Sequence, residues 1–426
     1  LALCLLASLF LVILKLYLTS RPSPVYLVDF VCFTPPKFCR VPFSTFIEHV
    51  KMMDLVDERS IDFMAKVLTR SGQSQETYLP PSLHYIPPKS DHREAVGEVE
   101  MALFPVLQQL LDGTNTSPKD VDLLIVNCSG FCPNPSLSSM VINRFSMRED
   151  VKSFTLTGMG CSASAVAVDM ARNILRTNRN SNAVILSTEI LSTGWYTGKD
   201  QSMLMLNCLF RMGAAAVLVS NRKEAKRTAK YKLIHSVRTQ RAFDDRAYLS
   251  AIREEDSDGL TGVTLRKDLL QVAGETLRSN IKILGRKLLP YTEILLYTIS
   301  VIKKRYWDKS AEIYTPDFRR AVKHFCLPTS GKAVIGEIGK GLRLADGEME
   351  PALMTLHRFG NQSSSSLWYE LSYLEAKGRI MEGDRVWQLG MGTGPKCTSL
   401  VWESLRPILA SAHKGPWADC IHRYPV

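Results

Sequence analysis

The sequence predicts an α/β protein built from two similar halves and preceded by one transmembrane helix. Short apolar runs alternate with helix-forming stretches, and this alternation implies parallel sheets sandwiched by helices. The same order of strands and helices begins again near residue 231, although no short sequence repeat is visible. A chain of 426 residues is long enough for two such core-bearing halves.

The first eighteen residues, 1–18, predict a membrane anchor. The stretch LALCLLASLFLVILKLYL has one charged residue, Lys15, and as a helix it would span about 27 Å, close to a bilayer core. A secretory signal is the alternative, but SRPSPVYLVDF offers no small-residue cleavage site. Arg21, Lys37 and Arg40 follow closely and favour a cytosolic position for the rest of the chain.

Residues 19–90 are predicted to form a membrane-proximal arm. They are rich in proline and aromatic residues, and they include an amphipathic helix over 43–66 and the connector YLPPSLHYIPPK. These features predict a segment that wraps around the surface of the folded body.

The N-terminal half is predicted over 91–230. A helix over 94–111 leads through a turn into VDLLIVNCS, an apolar run that suits a buried parallel strand. The runs VKSFTLTG, NAVILSTEI and GAAAVLVSN predict further strands, and a helix is predicted over 162–177.

The C-terminal half is predicted over 231–426. It begins with the strand YKLIHSVRT, has helix signals over 267–288 and 363–377, and has another strand in DRVWQLGMG. We expect the chemistry to lie where the two halves meet.

Charge and cysteine content exclude several classes of function. The net charge of +11 suits an anionic membrane surface or a phosphate-bearing ligand. The basic clusters lack the interleaved aromatic residues of single-strand binders, so no nucleic acid is expected as a partner. The ten cysteines are scattered without CxxC pairs, so neither a metal site nor a disulfide framework is indicated.

Cys161 is the candidate nucleophile. In LTGMGCSASAVAVDMARNIL a strand ends, Gly158 and Gly160 make a tight turn, and the cysteine opens a helix of small residues. The positive end of a helix dipole favours the thiolate, and the glycines let a substrate approach the sulfur. The alternative is an ordinary buried cysteine, which behaves as a small hydrophobic residue.

Asn361 and a glycine-rich turn are candidates in the C-terminal half. Asn361 follows a glycine turn in TLHRFGNQSSSSLWYEL and could also serve only as a turn or capping residue. Gly392 and Gly394 lie in LGMGTGPKC, which lacks both GxGxxG and GxxxxGK(S/T), so no nucleotide cofactor is expected.

These stretches together resemble the plant 3-ketoacyl-CoA synthases, the membrane-bound condensing enzymes of very-long-chain fatty acid elongation within the thiolase-like superfamily. The resemblance runs almost end to end, and it is carried by RPSPVYLVDF, ETYLPPSLHYIPP, NCSGFCPNPSLSSM, GMGCSAS, NCLFRMGAAAVLVSNR, HRFGNQSSSSLWYELSYLEAKGR and GDRVWQLGMGTGPKC.

The resemblance implies a thiolase-like five-layer αβαβα fold with a Cys, His and Asn site in a buried pocket. Cys161 would take an acyl group from acyl-CoA, and His and Asn361 would stabilise the enolate formed as malonyl-CoA loses carbon dioxide. His324 and His357 match histidines of the family motifs and are substrate-pocket candidates with Gly392 and Gly394. The resemblance also implies a homodimer, or a heterodimer with another condensing enzyme, at the endoplasmic reticulum membrane with the catalytic body facing the cytosol.

The family's catalytic histidine aligns with Pro328. Family members write Phe-Cys-Ile-His-Ala-Gly-Gly where this chain has FCLPTSG, and proline offers neither a side-chain donor nor a backbone N–H. His324 could replace the missing imidazole only if the turn refolded. Two functions are therefore predicted: a condensing synthase, and alternatively a catalytically impaired regulatory subunit that associates with an active synthase. A soluble polyketide-type condensation is disfavoured by the anchor.

Overall fold

The computed structural model describes residues 23–409 and 415–426, so the anchor predicted at 1–18 lies outside the described residues. The strands in these ranges are β1 Tyr26–Cys32, β2 Leu123–Asn127, β3 Lys152–Leu156, β4 Asn182–Thr188, β5 Ala214–Ser220, β6 Tyr231–Gln240, β7 Ala251–Glu255, β8 Thr261–Leu265, β9 His324–Cys326, β10 Arg385–Gly392 and β11 Lys396–Ser404. The α-helices are α1 Phe43–Met53, α2 Glu58–Arg70, α3 His92–Thr114, α4 Leu137–Phe145, α5 Ala163–Thr177, α6 Gln201–Leu209, α7 Ala225–Thr228, α8 Asp245–Tyr248, α9 Leu269–Leu288, α10 Tyr291–Tyr306, α11 Lys332–Leu342, α12 Asp346–Phe359 and α13 Ser366–Ala376.

Nine of these strands form one mixed sheet in the order β3-β2-β4-β5-β1-β6-β11-β10-β9. β2 is parallel to β3 and β4, and β10 is parallel to β9. β2, β4 and β5 are buried along their whole length, which explains their continuous apolar runs. The sheet has two half-sheets, one of β3, β2, β4, β5 and β1 and the other of β6, β11, β10 and β9. They join where Tyr26 and Leu27 of β1 pair with β6.

Helices cover both half-sheets and also separate them. α3 packs on β1, β4 and β5, and α9 packs on β6 and β11. α5 contacts β2 and β4 as well as β10 and β11, and α13 contacts β1, β9 and β10, so both helices lie between the half-sheets. Residues 163–168 of α5 are all buried, and their small side chains let the helix fit between two sheets. The layers therefore run helix, sheet, helix, sheet, helix.

The segment from β1 to α2 differs from the predicted surface arm. Residues 26–32 form β1 inside the sheet, where it pairs along its length with β5. The single helix expected over 43–66 is two helices: Asp54 ends α1 in the left-handed region at φ 52°, and the Asp57 side chain accepts from Ser60 N to begin α2. These two capping aspartates divide a stretch whose apolar periodicity alone predicts one helix.

In the two described ranges, no helix combines the length and apolar character needed to cross a bilayer.

Candidate active site

Cys161 lies on a turn that only glycines can make easily. After β3, Gly158 and Gly160 have φ values of 65° and 56°, in the left-handed region that glycine adopts without strain. Cys161 is in the single 3-10 turn Gly160–Ser162, and α5 begins at Ala163. The Gly160 N–H donates to Ser129 Oγ at 3.0 Å, which holds the turn against the loop after β2. The half-buried thiol therefore sits at a helix entrance, as expected from the sequence.

The predicted glycine-rich turn packs directly against the turn that carries Cys161. A Cβ placed on Gly392 would overlap the Met159 carbonyl oxygen and would lie 2.6 Å from Ser162 Oγ. A Cβ on Gly160 would lie 2.7 Å from Thr393 N. Gly394, at φ 59°, shapes the turn between β10 and β11. The two halves approach each other here through their backbones, so position 392 has no room for a side chain.

We expect Gly392→Ala to destabilise the protein by about 1–3 kcal/mol, because the added methyl overpacks the turn that carries Cys161. Thermal unfolding of the detergent-solubilised chain measures the effect. Gly97→Ala is the matched control: Gly97 is exposed in α3 with no heavy atom within 4 Å of the added Cβ, so a gain of about 0.5–1 kcal/mol is expected. Equal midpoints for the two variants would contradict this account of the turn.

Asn361 meets the thiol through its neighbour Ser363. The chain turns at Gly360 and at Ser363, whose φ values are 75° and 55°. Asn361 Oδ1 accepts from Ser363 N at 2.8 Å, so the turn uses the side-chain carbonyl of the asparagine. Its side-chain nitrogen donates no hydrogen bond within the described part of the chain. Both N–H groups of that amide therefore remain for a ligand.

Ser363 connects Cys161 with a half-buried carboxylate. Its Oγ lies 3.5 Å from Cys161 Sγ and 3.2 Å from Oε2 of Glu189, the residue directly after β4. Glu189 Oε1 accepts the backbone N–H groups of Ser129 at 3.1 Å and Gly130 at 2.5 Å. A hydroxyl has one hydrogen, so Ser363 donates either to the Cys161 sulfur or to Glu189. When it donates to Glu189, its oxygen can accept the hydrogen of the thiol. Thiol, hydroxyl and carboxylate thus form a path for one proton.

The sequence analysis did not single out Ser363 or Glu189. Ser363 belongs to a run of four serines that suits the start of the following helix, and Glu189 lies near the end of the strand run NAVILSTEI. The signal available in the sequence is a charged residue directly after a buried strand, because strand ends often carry site residues.

The surroundings of Cys161 favour the neutral thiol. The pKa of Cys161 is raised to about 11, mainly by burial. A hydrogen bond donated by Ser363 to the sulfur lowers this pKa, and the negative charge of Glu189 raises it. Burial also raises the pKa of Glu189. The thiolate expected from the helix position alone is therefore not the resting form near neutral pH.

Alkylation of Cys161 by iodoacetamide should accelerate about tenfold per pH unit through neutrality and level off only near pH 11, because the thiolate is the reacting form and its pKa is about 11. Mass spectrometry of the peptide that carries Cys161 measures the rate. In Glu189→Gln the curve should shift to lower pH, because a charge that opposes ionisation has gone. A plateau already reached at pH 8 in the unmodified chain would refute this environment.

Pro328 is buried two residues beyond the end of β9. Cys326, the last residue of β9, pairs in parallel with Gln388 of β10, four residues before Gly392. The preceding N–H, of Leu327, donates to Oε2 of buried Glu370 at 2.7 Å. Pro328 itself has no N–H and no polar side-chain atom. At this position the chain therefore presents no hydrogen-bond donor to a ligand.

The structure does not bring His324 or His357 to the thiol. The Nε2 atom of His324 lies 3.1 Å from Asp384 Oδ2. In the sheet, residue His324 pairs with Val386 of β10, which is six residues before Gly392. Six strand residues span about 20 Å, so His324 lies toward the opposite end of the strand. His357 Nδ1 lies 3.1 Å from Tyr424 OH. Burial lowers the pKa of both imidazoles.

Within 23–409 and 415–426, no group of three or more His, Cys, Asp or Glu side chains is placed to hold a metal ion. The site's donors are the Asn361 amide and nearby backbone N–H groups. With one thiol and one proton path, the arrangement can carry an acyl group on sulfur.

Comparisons with known proteins identify the family. The model for FAE1/type III polyketide synthase-like proteins matches residues 17–306, and the model for the C-terminal part of 3-oxoacyl-[acyl-carrier-protein] synthase III matches residues 319–404. The chain is 49% identical over 423 residues to 3-ketoacyl-CoA synthase 5 of Arabidopsis thaliana, covering 99% of this chain and 86% of that protein. It is also 49% identical over 421 residues to 3-ketoacyl-CoA synthase 6 of the same plant, covering 99% of this chain and 84% of the relative.

A solved structure supports the same fold. The 1,3,6,8-tetrahydroxynaphthalene synthase of Streptomyces coelicolor A3(2), a bacterial type III polyketide synthase, superposes with a TM-score of 0.67 at 17% identity, covering 89% of this chain and 99% of that one. This likeness shows the thiolase-like α/β fold. On the sequence matches, this chain belongs to the plant 3-ketoacyl-CoA synthase family.

Proposed function

We propose that this chain is a condensing enzyme that joins a long-chain acyl-CoA to malonyl-CoA in very-long-chain fatty acid elongation. The observation that carries the proposal is the thiol of Cys161 beside Ser363, with the amide of Asn361 on the same turn. The names of its Arabidopsis relatives, 3-ketoacyl-CoA synthases, support the same reaction.

The first half of the reaction moves the acyl group to the enzyme. The thiol proton of Cys161 passes through Ser363 to Glu189, and the sulfur attacks the thioester carbonyl. The carbon–sulfur bond to CoA breaks, and the departing CoA sulfur takes the proton back. In this proposal, backbone N–H groups at the start of α5 stabilise the oxyanion that develops.

The second half forms the carbon–carbon bond. Malonyl-CoA loses carbon dioxide, and the electron pair left on carbon delocalises onto the thioester oxygen as an enolate. An N–H of Asn361 donates to that oxygen, and the enolate carbon attacks the acyl group on Cys161. The bond to sulfur breaks, so 3-ketoacyl-CoA leaves and Cys161 is regenerated as a thiolate. Because the first proton left with CoA, the thiolate takes a new proton from solvent, relayed through Glu189 and Ser363.

Pro328 favours a second candidate function. Loss of one oxyanion donor costs about 10² to 10³ in rate, and the site residues supply no replacement imidazole. The chain alone would then condense slowly, and a synthase-like subunit that associates with an active condensing enzyme becomes the alternative. The exposed edge strand β3 offers one surface through which a second chain could pair.

The proposed location is the endoplasmic reticulum membrane, with the body in the cytosol where acyl-CoA and malonyl-CoA are available. The apolar segment 1–18 and the basic residues after it support this location.

The test uses microsomes from a host without a long-chain condensing enzyme, supplied with long-chain acyl-CoA and labelled malonyl-CoA. A slow product that requires both substrates supports the condensing enzyme. No product alone, but an increase when an active synthase is co-expressed, supports the regulatory subunit. Robust turnover by the chain alone would remove the regulatory proposal.

A further inference from the structure

Helix α10 turns its apolar side chains outward. Its one fully buried residue is an acid, Glu293, which is 0% exposed. Leu295 is 60% exposed and Ile299 51% exposed, and Trp307, directly after the helix, is 77% exposed. The exposed large apolar side chains of this segment are Tyr291, Leu295, Leu296, Ile299, Ile302, Tyr306 and Trp307.

These side chains form one continuous stripe, called here the α10 stripe. Tyr291, Leu295, Ile299, Ile302 and Tyr306 follow one another at spacings of four, four, three and four residues, which places them on a single helix face. Soluble monomers rarely expose a contiguous apolar face of this kind, so the stripe calls for an apolar partner.

The polar side of the helix is fixed to the body. Glu293 Oε2 accepts from Tyr314 OH at 2.8 Å and from Asp317 N at 2.9 Å, and Glu293 Oε1 lies 3.2 Å from Arg320 Nε. Turning the stripe inward would break these contacts and leave a buried carboxylate without partners, which is costly. The outward direction of the stripe is therefore built into the fold.

Charge and aromatic content indicate which partner fits. The last turn carries Lys303, Lys304 and Arg305, and Glu293 is the only acidic residue of α10. Tyr306 and Trp307 follow at the end of the helix. A helix that lies in an anionic membrane interface typically has leucine and isoleucine on one face. Lysine, arginine, tyrosine and tryptophan lie at the border of that face, as they do here.

We propose that the α10 stripe lies in the surface of an anionic lipid bilayer and forms a second membrane contact, separate from the N-terminal segment. A second copy of this chain fits less well, because its net charge of +11 would meet the same basic turn. This inference does not depend on the proposed reaction, so either can fail without the other.

Fluorescence quenching tests the contact in the full chain, reconstituted into vesicles of phosphatidylcholine and phosphatidylserine with bromine on the acyl chains. Trp307 is exposed, whereas Trp195 is half-buried and the others are at most 1% exposed, namely Trp368, Trp387, Trp402 and Trp417. The expected result is quenching of the emission component that disappears in Trp307→Phe, with weaker quenching in phosphatidylcholine alone.

Ile299→Glu should abolish this quenching, and the fold should tolerate the change because the side chain is exposed. Phe243→Glu is the matched control, since Phe243 is exposed in the loop between β6 and α8 and lies outside the α10 stripe, so quenching should persist. The proposal would be overturned if both variants lost quenching equally, or if quenching were equal in vesicles without phosphatidylserine. A dimeric chain in which Trp307 is not quenched would also overturn it.

Discussion

Replacing Pro328 by histidine is expected to raise the rate of condensation by about 10²- to 10³-fold, because an imidazole there adds the missing donor to the enolate oxygen. Pro328 is buried two residues after Cys326, which pairs with Gln388 of β10. The measurement is 3-ketoacyl-CoA formed from labelled malonyl-CoA in microsomes, normalised to the amount of protein.

Pro328→Ala provides the control, because it removes the ring without adding a donor. We expect it to leave condensation at the level of the unmodified chain. A gain in Pro328→Ala equal to that in Pro328→His would mean that proline obstructs the loop sterically, and the argument from the missing imidazole would then be wrong.

The second large effect is expected from Cys161→Ala. The thioester to the enzyme can no longer form, so labelled acyl-enzyme should disappear and condensation should fall by about 10⁴-fold or more. Incubation with labelled acyl-CoA, followed by denaturation and release of the label with hydroxylamine, measures the covalent intermediate. The assay is informative even if condensation is slow, because acyl transfer needs Cys161 and its proton path but not a donor to the enolate oxygen.

Cys132→Ala is the matched control for this experiment. Cys132 is an exposed free cysteine, so its removal should leave the labelled acyl-enzyme unchanged. Label that survives in Cys161→Ala and disappears in Cys132→Ala would place the acyl group on the wrong residue and would exclude the proposed nucleophile.

Local sequence was sufficient for features that depend on neighbours in the chain. The strand, double-glycine turn and small-residue helix around Cys161 could be predicted because glycine alone adopts the required positive φ easily, and small side chains alone fit between two sheets. The continuous apolar runs of β2, β4 and β5 were predicted for a similar reason, since strands buried on both faces have no polar alternation.

Other features could not be predicted because distant segments create them. Ser363 reaches Cys161 across 202 residues and Glu189 across 174 residues, so no local spacing indicates that path. The raised pKa of Cys161 follows from burial and from Glu189, neither of which belongs to its own helix. His324 matched a family motif, but the register of β9 against β10 places it near Asp384.

The sequence by itself determined the alternating α/β architecture, the turn around Cys161 and the family, because residue type and short-range geometry are enough for each. The replacement of the family's imidazole by Pro328 stays a prediction. Only the tertiary structure decided that β1 joins the two half-sheets, which side chains share a proton with Cys161, and that the α10 stripe faces outward. Periodicity reveals that a helix has two faces, but packing against the rest of the chain decides which face is buried.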